Sequence, residues 1–321
     1  MRVLIVGKKN MLHWPEHVRD AWNEVGWTTR LFLYNDPGFG SKIVQSVLKQ
    51  FHRSFPARYL SKVFQDAVER FEPDVIMFVS AFFVPKELYE VLETLPKKPV
   101  IIGWAGDGFD QSVQPIAAKF DRLYSTDTYY AQKGSEFGWK SAYLPLAFNP
   151  KWFFPPQNPD RNHEVVFIGN PCTDREELFA QLQHTVTLIG PKWKNFVHPS
   201  HRIWTKEISL KQVAEVYRSC NGVINIKQGI NVVNGVNMRS FEAPACGALM
   251  LHDDVADVHL HFRAGEEVLV YHDASELDEY LLMMDSDAEA CEIIRRRGRE
   301  KVWEEHTYVH RVNQIITDLA Y

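Results

Sequence analysis

Two side chains of opposite charge, Arg239 and Glu242, stand three residues apart after a stretch rich in glycine and asparagine that begins at Gln228. The pair lies between two short apolar runs, Gly222 to Ile226 and Ala248 to Leu251. Residues three apart on a helix share one face. A guanidinium suits a phosphate, and a carboxylate suits paired hydroxyls such as those of a ribose. The order strand, loop, helix, strand therefore predicts a nucleotide-sugar site at the start of a helix.

Neighbouring residues extend this predicted nucleotide-sugar site. The further candidates are Lys227, Asn234, Gly235, Asn237 and Met238 around the helix start, and Gly169 and Arg175 in an earlier glycine loop. The loop residues would supply backbone amides near the nucleotide sugar, and Lys227 and Arg175 would contact its diphosphate. Each residue has an ordinary structural alternative, as part of a turn, an ion pair or a solvated surface.

The N-terminal half offers groups that could move a proton. Asp107 and Asp110 lie in a glycine-rich segment after a predicted strand, and His13 lies beside Trp14 in the first loop. Loops at the carboxyl ends of strands line the ligand crevice in open α/β sheets. A carboxylate or imidazole there can bind an acceptor hydroxyl or take its proton. Aspartates are also common in glycine turns, so a structural role is the alternative.

Metal binding is not expected from the histidines. His198 and His201 lie in an aromatic stretch between Trp193 and Trp204, which is predicted to be a loop. Their spacing is not that of a zinc site, so contact with a base or sugar is the stronger functional reading.

Composition bounds the class of protein. The chain has 321 residues, enough for two domains of about 150 residues each. Its net charge of −5 argues against a general nucleic-acid binder. The four cysteines form no CxxC pair, which predicts reduced thiols. With no apolar run of about 18 residues, we expect a cytoplasmic protein without a membrane span.

Repeated βα units organise both halves of the chain. The N-terminal half begins with a buried strand, Val3 to Val6, and its first loop lacks the GxGxxG pattern of dehydrogenases. Helices are predicted over residues 15–25, 42–51, 60–71 and 85–95. Residues 145–163 hold five of the 17 prolines and predict a linker. A second βα series starts at Glu164, and residues 307–319 have the spacing of an amphipathic helix.

Five separated motifs carry a resemblance to a known family. They are Gly169-Asn-Pro-Cys-Thr-Asp-Arg, Asn237-Met-Arg-Ser-Phe-Glu-Ala-Pro-Ala-Cys-Gly-Ala, Phe262-Arg-Ala-Gly-Glu-Glu-Val, Ser275-Glu-Leu and His306-Thr-Tyr-Val-His-Arg. Together they resemble the glycosyltransferase-like domain of the CgeB-type spore-maturation proteins, within the GT-B superfamily of nucleotide-sugar glycosyltransferases. The similarity covers residues 164–318 well and the N-terminal half only in its overall pattern.

The resemblance implies an α/β fold of GT-B architecture, with two Rossmann-like domains facing each other across a cleft. Residues 1–150 would form the acceptor domain, 151–163 a proline-rich linker and 164–305 the donor domain. Residues 306–321 would form a helix that packs back on the N-terminal domain. Glu242 falls where relatives with an E-x7-E signature bind the ribose, and their first Glu falls at Asn234. An amide there still donates and accepts hydrogen bonds.

The implied reaction is metal-independent transfer from a nucleoside-diphosphate sugar, most simply a UDP-sugar, to an acceptor hydroxyl. No cofactor beyond the donor is expected, and the acceptor is a sugar, protein, small molecule or modified nucleic-acid base. A retaining outcome, as in most E-x7-E relatives, lets the donor phosphate take the acceptor proton. An inverting one would use Asp107 or His13 as base. A non-catalytic sugar-nucleotide binder and a GT-B-shaped epimerase are the alternatives.

Overall fold

Two compact units make up the chain in the computed structural model, which describes residues 1–36, 55–157, 161–162, 164–229 and 232–320. The first unit comprises Met1–Leu144 and Val312–Tyr321, and the second comprises Pro145–Arg311. The helix predicted over residues 42–51 lies outside the described residues.

The division falls six residues before the predicted boundary at residue 150, and the proline-rich segment is not a free connection. Phe153, inside the predicted linker, is fully buried and packs on Tyr217 of the second unit, with 6.2 Å between ring centroids. An aromatic side chain excluded from water ties this segment to the core of the second unit.

The first unit is built on six parallel strands in the order β2-β1-β3-β4-β5-β6. Their bounds are β1 Arg2–Gly7, β2 Thr28–Leu33, β3 Val75–Val79, β4 Val100–Ala105, β5 Arg122–Ser125 and β6 Ser141–Tyr143. Every residue of the run Val3 to Val6 is fully buried, because β1 pairs with both β2 and β3 in the middle of the sheet. This is the continuous apolar pattern of a strand covered on both faces.

The second unit repeats the design with six more parallel strands. They are β7 Val165–Ile168, β8 Thr187–Ile189, β9 Arg202–Trp204, β10 Gly222–Asn225, β11 Leu249–Asp253 and β12 Leu269–Tyr271. Their order is β12-β11-β10-β7-β8-β9, so the direction of strand addition reverses between β7 and β10. In open α/β sheets, ligands bind outside the carboxyl ends of the strands at such a reversal.

One strand was missed. Residues 202–204 pair with β8 as an edge strand, where the sequence predicts a loop. Three residues with partly exposed side chains carry too weak an apolar pattern to reveal a strand.

Helices separate the strands in both units. In chain order they are α1 Trp14–Glu24, α2 Phe55–Phe71, α3 Lys86–Glu93, α4 Gln114–Ala117, α5 Thr128–Glu136, α6 Thr173–Gln181, α7 Leu210–Ser219, α8 Arg239–Ala245, α9 Val258–His261, α10 Ala274–Ser286, α11 Ala288–Glu305 and α12 Tyr308–Asp318. The end of α12 is tied to the first sheet, since the Tyr124 hydroxyl donates to Asp318 Oδ2 at 2.9 Å. None of the helices described is both long and apolar enough to cross a membrane.

Candidate functional site

Arg239 bridges the two strands that flank the reversal in the second sheet. It is the first residue of α8, and its Nη1 donates to Asn225 Oδ1 at the end of β10. Its Nη2 donates to the carbonyl of Ile168 at the end of β7. The Arg239 guanidinium is therefore held at the strand reversal, where a ligand is expected, and its Nε–H group forms no hydrogen bond within the described residues.

A second guanidinium, that of Arg175 in the first turn of α6, lies beside it. Arg175 donates to the carbonyls of Asn170 at 2.7 Å and Ile226 at 3.0 Å. Both guanidiniums lie over the Phe167 ring, 5.1 Å from its centroid for Arg175 and 4.9 Å for Arg239. Burial, and then the charge of Arg239, lower the pKa of Arg175 to about 10.

Neutral oxygen atoms hold both guanidiniums, and the nearby Asp253 and Glu242 interact with them only through space. In the described part of the chain, neither Arg175 nor Arg239 has a carboxylate within ion-pair distance, and their partners are carbonyl and amide oxygens. Cationic groups that neutral acceptors hold in place attract an anion without first breaking an ion pair. The pair therefore forms a ready site for a phosphate or diphosphate.

Glu242 follows on the same helix and is only 6 % exposed. Its carboxylate has no hydrogen-bond or ion-pair partner within the described ranges, although a buried carboxyl normally requires one. Burial raises its pKa to about 8, and the nearby Arg239 opposes that shift. At neutral pH the group is therefore mostly protonated, and it is free to exchange hydrogen bonds with a ligand hydroxyl.

Asn225 lies at the centre of the polar groups beneath Arg239. Its Oδ1 also accepts from Asn237 Nδ2 at 2.8 Å. Its Nδ2 lies 2.7 Å from His252 Nε2 and 3.3 Å from Ser240 Oγ. The Asn237 side chain in turn accepts from the Arg239 backbone amide at 3.0 Å, so it caps the start of α8.

Sequence reasoning missed three of these groups. Asn225, Ser240 and His252 are at most 1 % exposed. Asn225 in Val-Ile-Asn-Ile and His252 in Leu-Met-Leu-His are polar residues next to apolar ones. That pattern could have indicated a buried polar group, which needs hydrogen-bond partners.

The other residues predicted to bind the nucleotide sugar differ in their contacts. The Lys227 amide donates to Asp253 Oδ2 at 2.9 Å, and its ammonium reaches the Val233 carbonyl at 3.4 Å, so the charge is directed toward its own loop. The Asn234 carbonyl accepts from the Asp257 amide at 3.0 Å, and Gly235 is buried beside it. Met238 is buried before α8, and its carbonyl accepts from the Glu242 amide at 2.9 Å.

Two glycines allow the strand ends to come close. A Cβ at Gly169 would stand 2.9 Å from the Phe167 ring and 3.3 Å from Arg239 Nη2. One at Gly190, after β8, would stand only 2.3 Å from the carbonyl oxygen of Gly169. The Trp193 indole donates to that same oxygen at 2.7 Å. The absence of side chains at both positions therefore preserves the floor of the anion site.

The three acid–base candidates of the first unit follow strands at the carboxyl edge of its sheet. Asp107, after β4, is partly exposed between Gly106 and Gly108. Asp110 has a structural role, because its carboxylate accepts from the Ser112 amide at 2.8 Å and caps a short 3-10 helix. Hydrogen bonding by the Ser112 side chain, and then by its amide, lowers the pKa of Asp110.

His13 follows β1 and precedes α1 in a left-handed conformation with φ of 50°. Its Nδ1 is 3.7 Å from Glu16 Oε1, and its side chain is 39 % exposed. An accessible imidazole beside a carboxylate can accept a proton.

The other histidine pair has a structural arrangement. The rings of His198 and His201 stack with 3.8 Å between centroids, and His201 Nε2 bonds the Phe179 carbonyl at 2.7 Å. Where side chains are described, no group of three or more His, Cys, Asp or Glu residues could hold a metal ion.

Two six-stranded parallel sheets, one with two neighbouring guanidiniums at its strand reversal, define a two-domain α/β protein. Residues 175–317 match the model of a family described as glycosyl transferase-like. No curated protein matches the sequence significantly.

Solved structures share the whole fold. HepE from Anabaena in complex with UDP is 12 % identical, with a TM-score of 0.70 over 100 % of both chains. Sucrose-phosphate synthase from Thermosynechococcus elongatus is 12 % identical, with a TM-score of 0.68 over 99 % of each chain. A UDP-forming α,α-trehalose-phosphate synthase from Burkholderia vietnamiensis is 11 % identical, with a TM-score of 0.67 over 100 % of both. Such identities show a common fold. Residues 175–317 are thus similar to a glycosyl transferase-like family, and the whole chain has the fold of these GT-B glycosyltransferase structures.

Proposed function

We propose that the protein transfers a sugar from a nucleoside-diphosphate sugar, with a UDP-sugar as the expected donor, to an acceptor hydroxyl. One observation carries the proposal: the buried Glu242 carboxyl has no hydrogen-bond partner among the described residues, and it lies near two guanidiniums that only neutral oxygen atoms hold in place. A ribose diol and a diphosphate would satisfy both groups at once. The HepE structures that share the fold contain UDP and UDP-glucose, which supports the choice of base.

In this mechanism Arg239 and Arg175 act on the leaving group. The bond between the sugar C1 and the diphosphate oxygen breaks, its electron pair passes to the diphosphate, and the acceptor oxygen bonds to C1. Guanidiniums that are already in place stabilise the charge that develops on the diphosphate. Because these residues supply the positive charge, we propose that the reaction needs no metal ion.

The fate of the acceptor proton separates two versions of the reaction. In the retaining version, which the CgeB-like motifs favour, an oxygen of the departing diphosphate takes the proton. Asn234 would then replace the first Glu of the E-x7-E signature. In the inverting version Asp107 or His13 takes it, because both are accessible at strand exits of the first unit. We propose the retaining version and the CgeB-like subfamily together, since they rest on the same motifs.

Donor binding and donor hydrolysis test the proposal together. Calorimetric titration with UDP, GDP and ADP should identify one tight ligand, and Arg239→Met and Glu242→Gln should each weaken it at least about tenfold. Arg296→Met is the matched control, because that exposed guanidinium lies 4.0 Å from Glu300 on α11. If no nucleoside diphosphate binds, or if both variants bind like wild type, the proposal is wrong. Binding without turnover would indicate a binding protein, and interconversion of free sugar nucleotides an epimerase.

The acceptor side needs its own comparison. The anomeric configuration of the product, read by NMR, distinguishes retention from inversion. If inversion is found, Asp107→Asn should lower kcat by about 100-fold or more, as loss of a general base does. Asp110→Asn is the matched control, because an asparagine side chain still caps the 3-10 helix. Equal activity of the two variants would remove Asp107 from the mechanism.

A further inference from the structure

The amide of Asn225 can adopt only one orientation. Arg239 carries hydrogen-bond donors and no acceptor, so the atom of Asn225 that faces Arg239 Nη1 must be the oxygen. The Asn237 amide nitrogen donates to the same oxygen at 2.8 Å. The NH2 group of Asn225 must therefore point the other way, toward His252 Nε2 at 2.7 Å and Ser240 Oγ at 3.3 Å.

This orientation determines the protonation state of His252. Its Nε2 accepts a hydrogen bond from the Asn225 NH2 group. The Ser240 hydroxyl lies 2.9 Å from the same nitrogen and can donate a second one. A ring nitrogen that accepts hydrogen bonds carries no proton, so the proton lies on Nδ1, which donates to the Asp253 carbonyl at 2.7 Å. Both His252 and Asn225 are 1 % exposed, so little water can replace these partners.

We propose that His252 is a positioning residue that holds the diphosphate-binding Arg239 in place through Asn225, because its Nε2 accepts a hydrogen bond from the Asn225 NH2 group. A proton on Nε2 would place two N–H groups against each other across 2.7 Å. Rotating the Asn225 amide would remove that conflict but would turn its NH2 group toward the Arg239 donors. Protonated His252 and a correctly placed Arg239 therefore exclude each other. The inference rests on the proposed function, since it concerns the same donor site.

The charged groups around His252 do not relieve this conflict. Asp253 Oδ1 lies 3.1 Å from Nδ1, on the side of the ring that already carries a proton. The Lys227 amide binds Asp253, and Arg239 faces Asn225 from α8. His261 in α9 lies near enough to be influenced by charge on His252, although burial is the main reason its pKa falls to about 3. None of these groups offers an acceptor to Nε2.

Calorimetric titration of UDP and of uridine into the full chain tests the inference. His252→Gln places an amide oxygen near the position of Nε2, so it should bind UDP within about threefold of wild type. His252→Leu removes the acceptor and should weaken UDP binding about tenfold while leaving uridine binding unchanged.

A second variant covers the case in which His252→Leu does not fold. Asn225→Asp keeps the shape of the side chain but places a carboxylate against Arg239, so it should weaken UDP about tenfold and spare uridine. The inference is overturned if His252→Leu binds UDP as tightly as His252→Gln does, if UDP and uridine weaken together, or if Asn225→Asp binds UDP normally. A wild-type protein that binds no nucleoside diphosphate overturns the proposed function, and with it this inference.

Discussion

Burial keeps the Glu242 side chain mostly protonated at neutral pH. Burial raises its pKa from the ordinary 4.5 to about 8, so the folded protein takes up a proton that the unfolded chain releases over that range. A group whose pKa is raised on folding in this way destabilises the native state increasingly as pH rises from about 4.5 to about 8. The residue that the proposed function requires is thus one that the free protein holds at a cost in stability.

Replacing this acid should make the ligand-free protein more stable. Glu242→Gln removes the ionisation, so its free energy of unfolding should match that of wild type near pH 5 and exceed it by about 2 kcal/mol at pH 8. Urea denaturation at the two pH values measures the difference. If the gap between variant and wild type is the same at both pH values, the carboxyl does not titrate as its burial implies.

At the residue scale, the sequence predicted the placement of Arg239 and Glu242 better than that of the groups that support them. The spacing of Arg239 and Glu242 indicated a shared helix face, and the structure places both in one short helix at the strand reversal. Asn225 and His252 could not be predicted, because their partnership joins two strands and depends on the register Asn225↔His252. The sequence also suggests chemistry for Asp110, but its carboxylate accepts a hydrogen bond from the amide of Ser112, two residues later.

At the scale of elements, the site depends on how closely β7 and β8 end. Apolar runs predicted every strand except β9 to within a few residues, since strands covered on both faces require such runs. The distance between strand ends has no such signature. It appears only in the contacts of Gly169 and Gly190, where an added Cβ meets backbone or an aromatic ring.

A methyl group at residue 190 should therefore damage the site from a distance. In Gly190→Ala the Cβ meets the Gly169 oxygen at 2.3 Å, so the β7 loop must move, at about 1–3 kcal/mol of stability and a loss of UDP affinity. Gly265→Ala is the control, because it lies in an exposed turn with φ of 76° and no atom within 4 Å. It should cost about 1 kcal/mol from backbone strain and leave UDP binding intact. Equal UDP affinity of the two variants would contradict this account.

At the scale of the molecule, the chain passes between its two units twice, after Leu144 and after Arg311. Arg311 is 5 % exposed and connects these two places in the second unit. Its Nε donates to the Pro145 carbonyl at 2.9 Å, and its Nη2 donates to the Leu146 carbonyl at 3.0 Å. The fold class was predicted, but this link joins residues more than 160 positions apart, and no local pattern announces it.

Removing that link should destabilise the protein strongly. Arg311→Met leaves the buried carbonyls of Pro145 and Leu146, and the partly buried carbonyl of Glu305, without their shared donor, which should cost at least about 3 kcal/mol. Arg296→Met, the exposed control on α11, should change stability by no more than about 0.5 kcal/mol. Urea denaturation can be followed by tryptophan fluorescence, because the Trp303 indole donates to the Ala245 carbonyl within the second unit. If both variants unfold at the same urea concentration as wild type, the hydrogen bonds of Arg311 do not hold these two chain passages together.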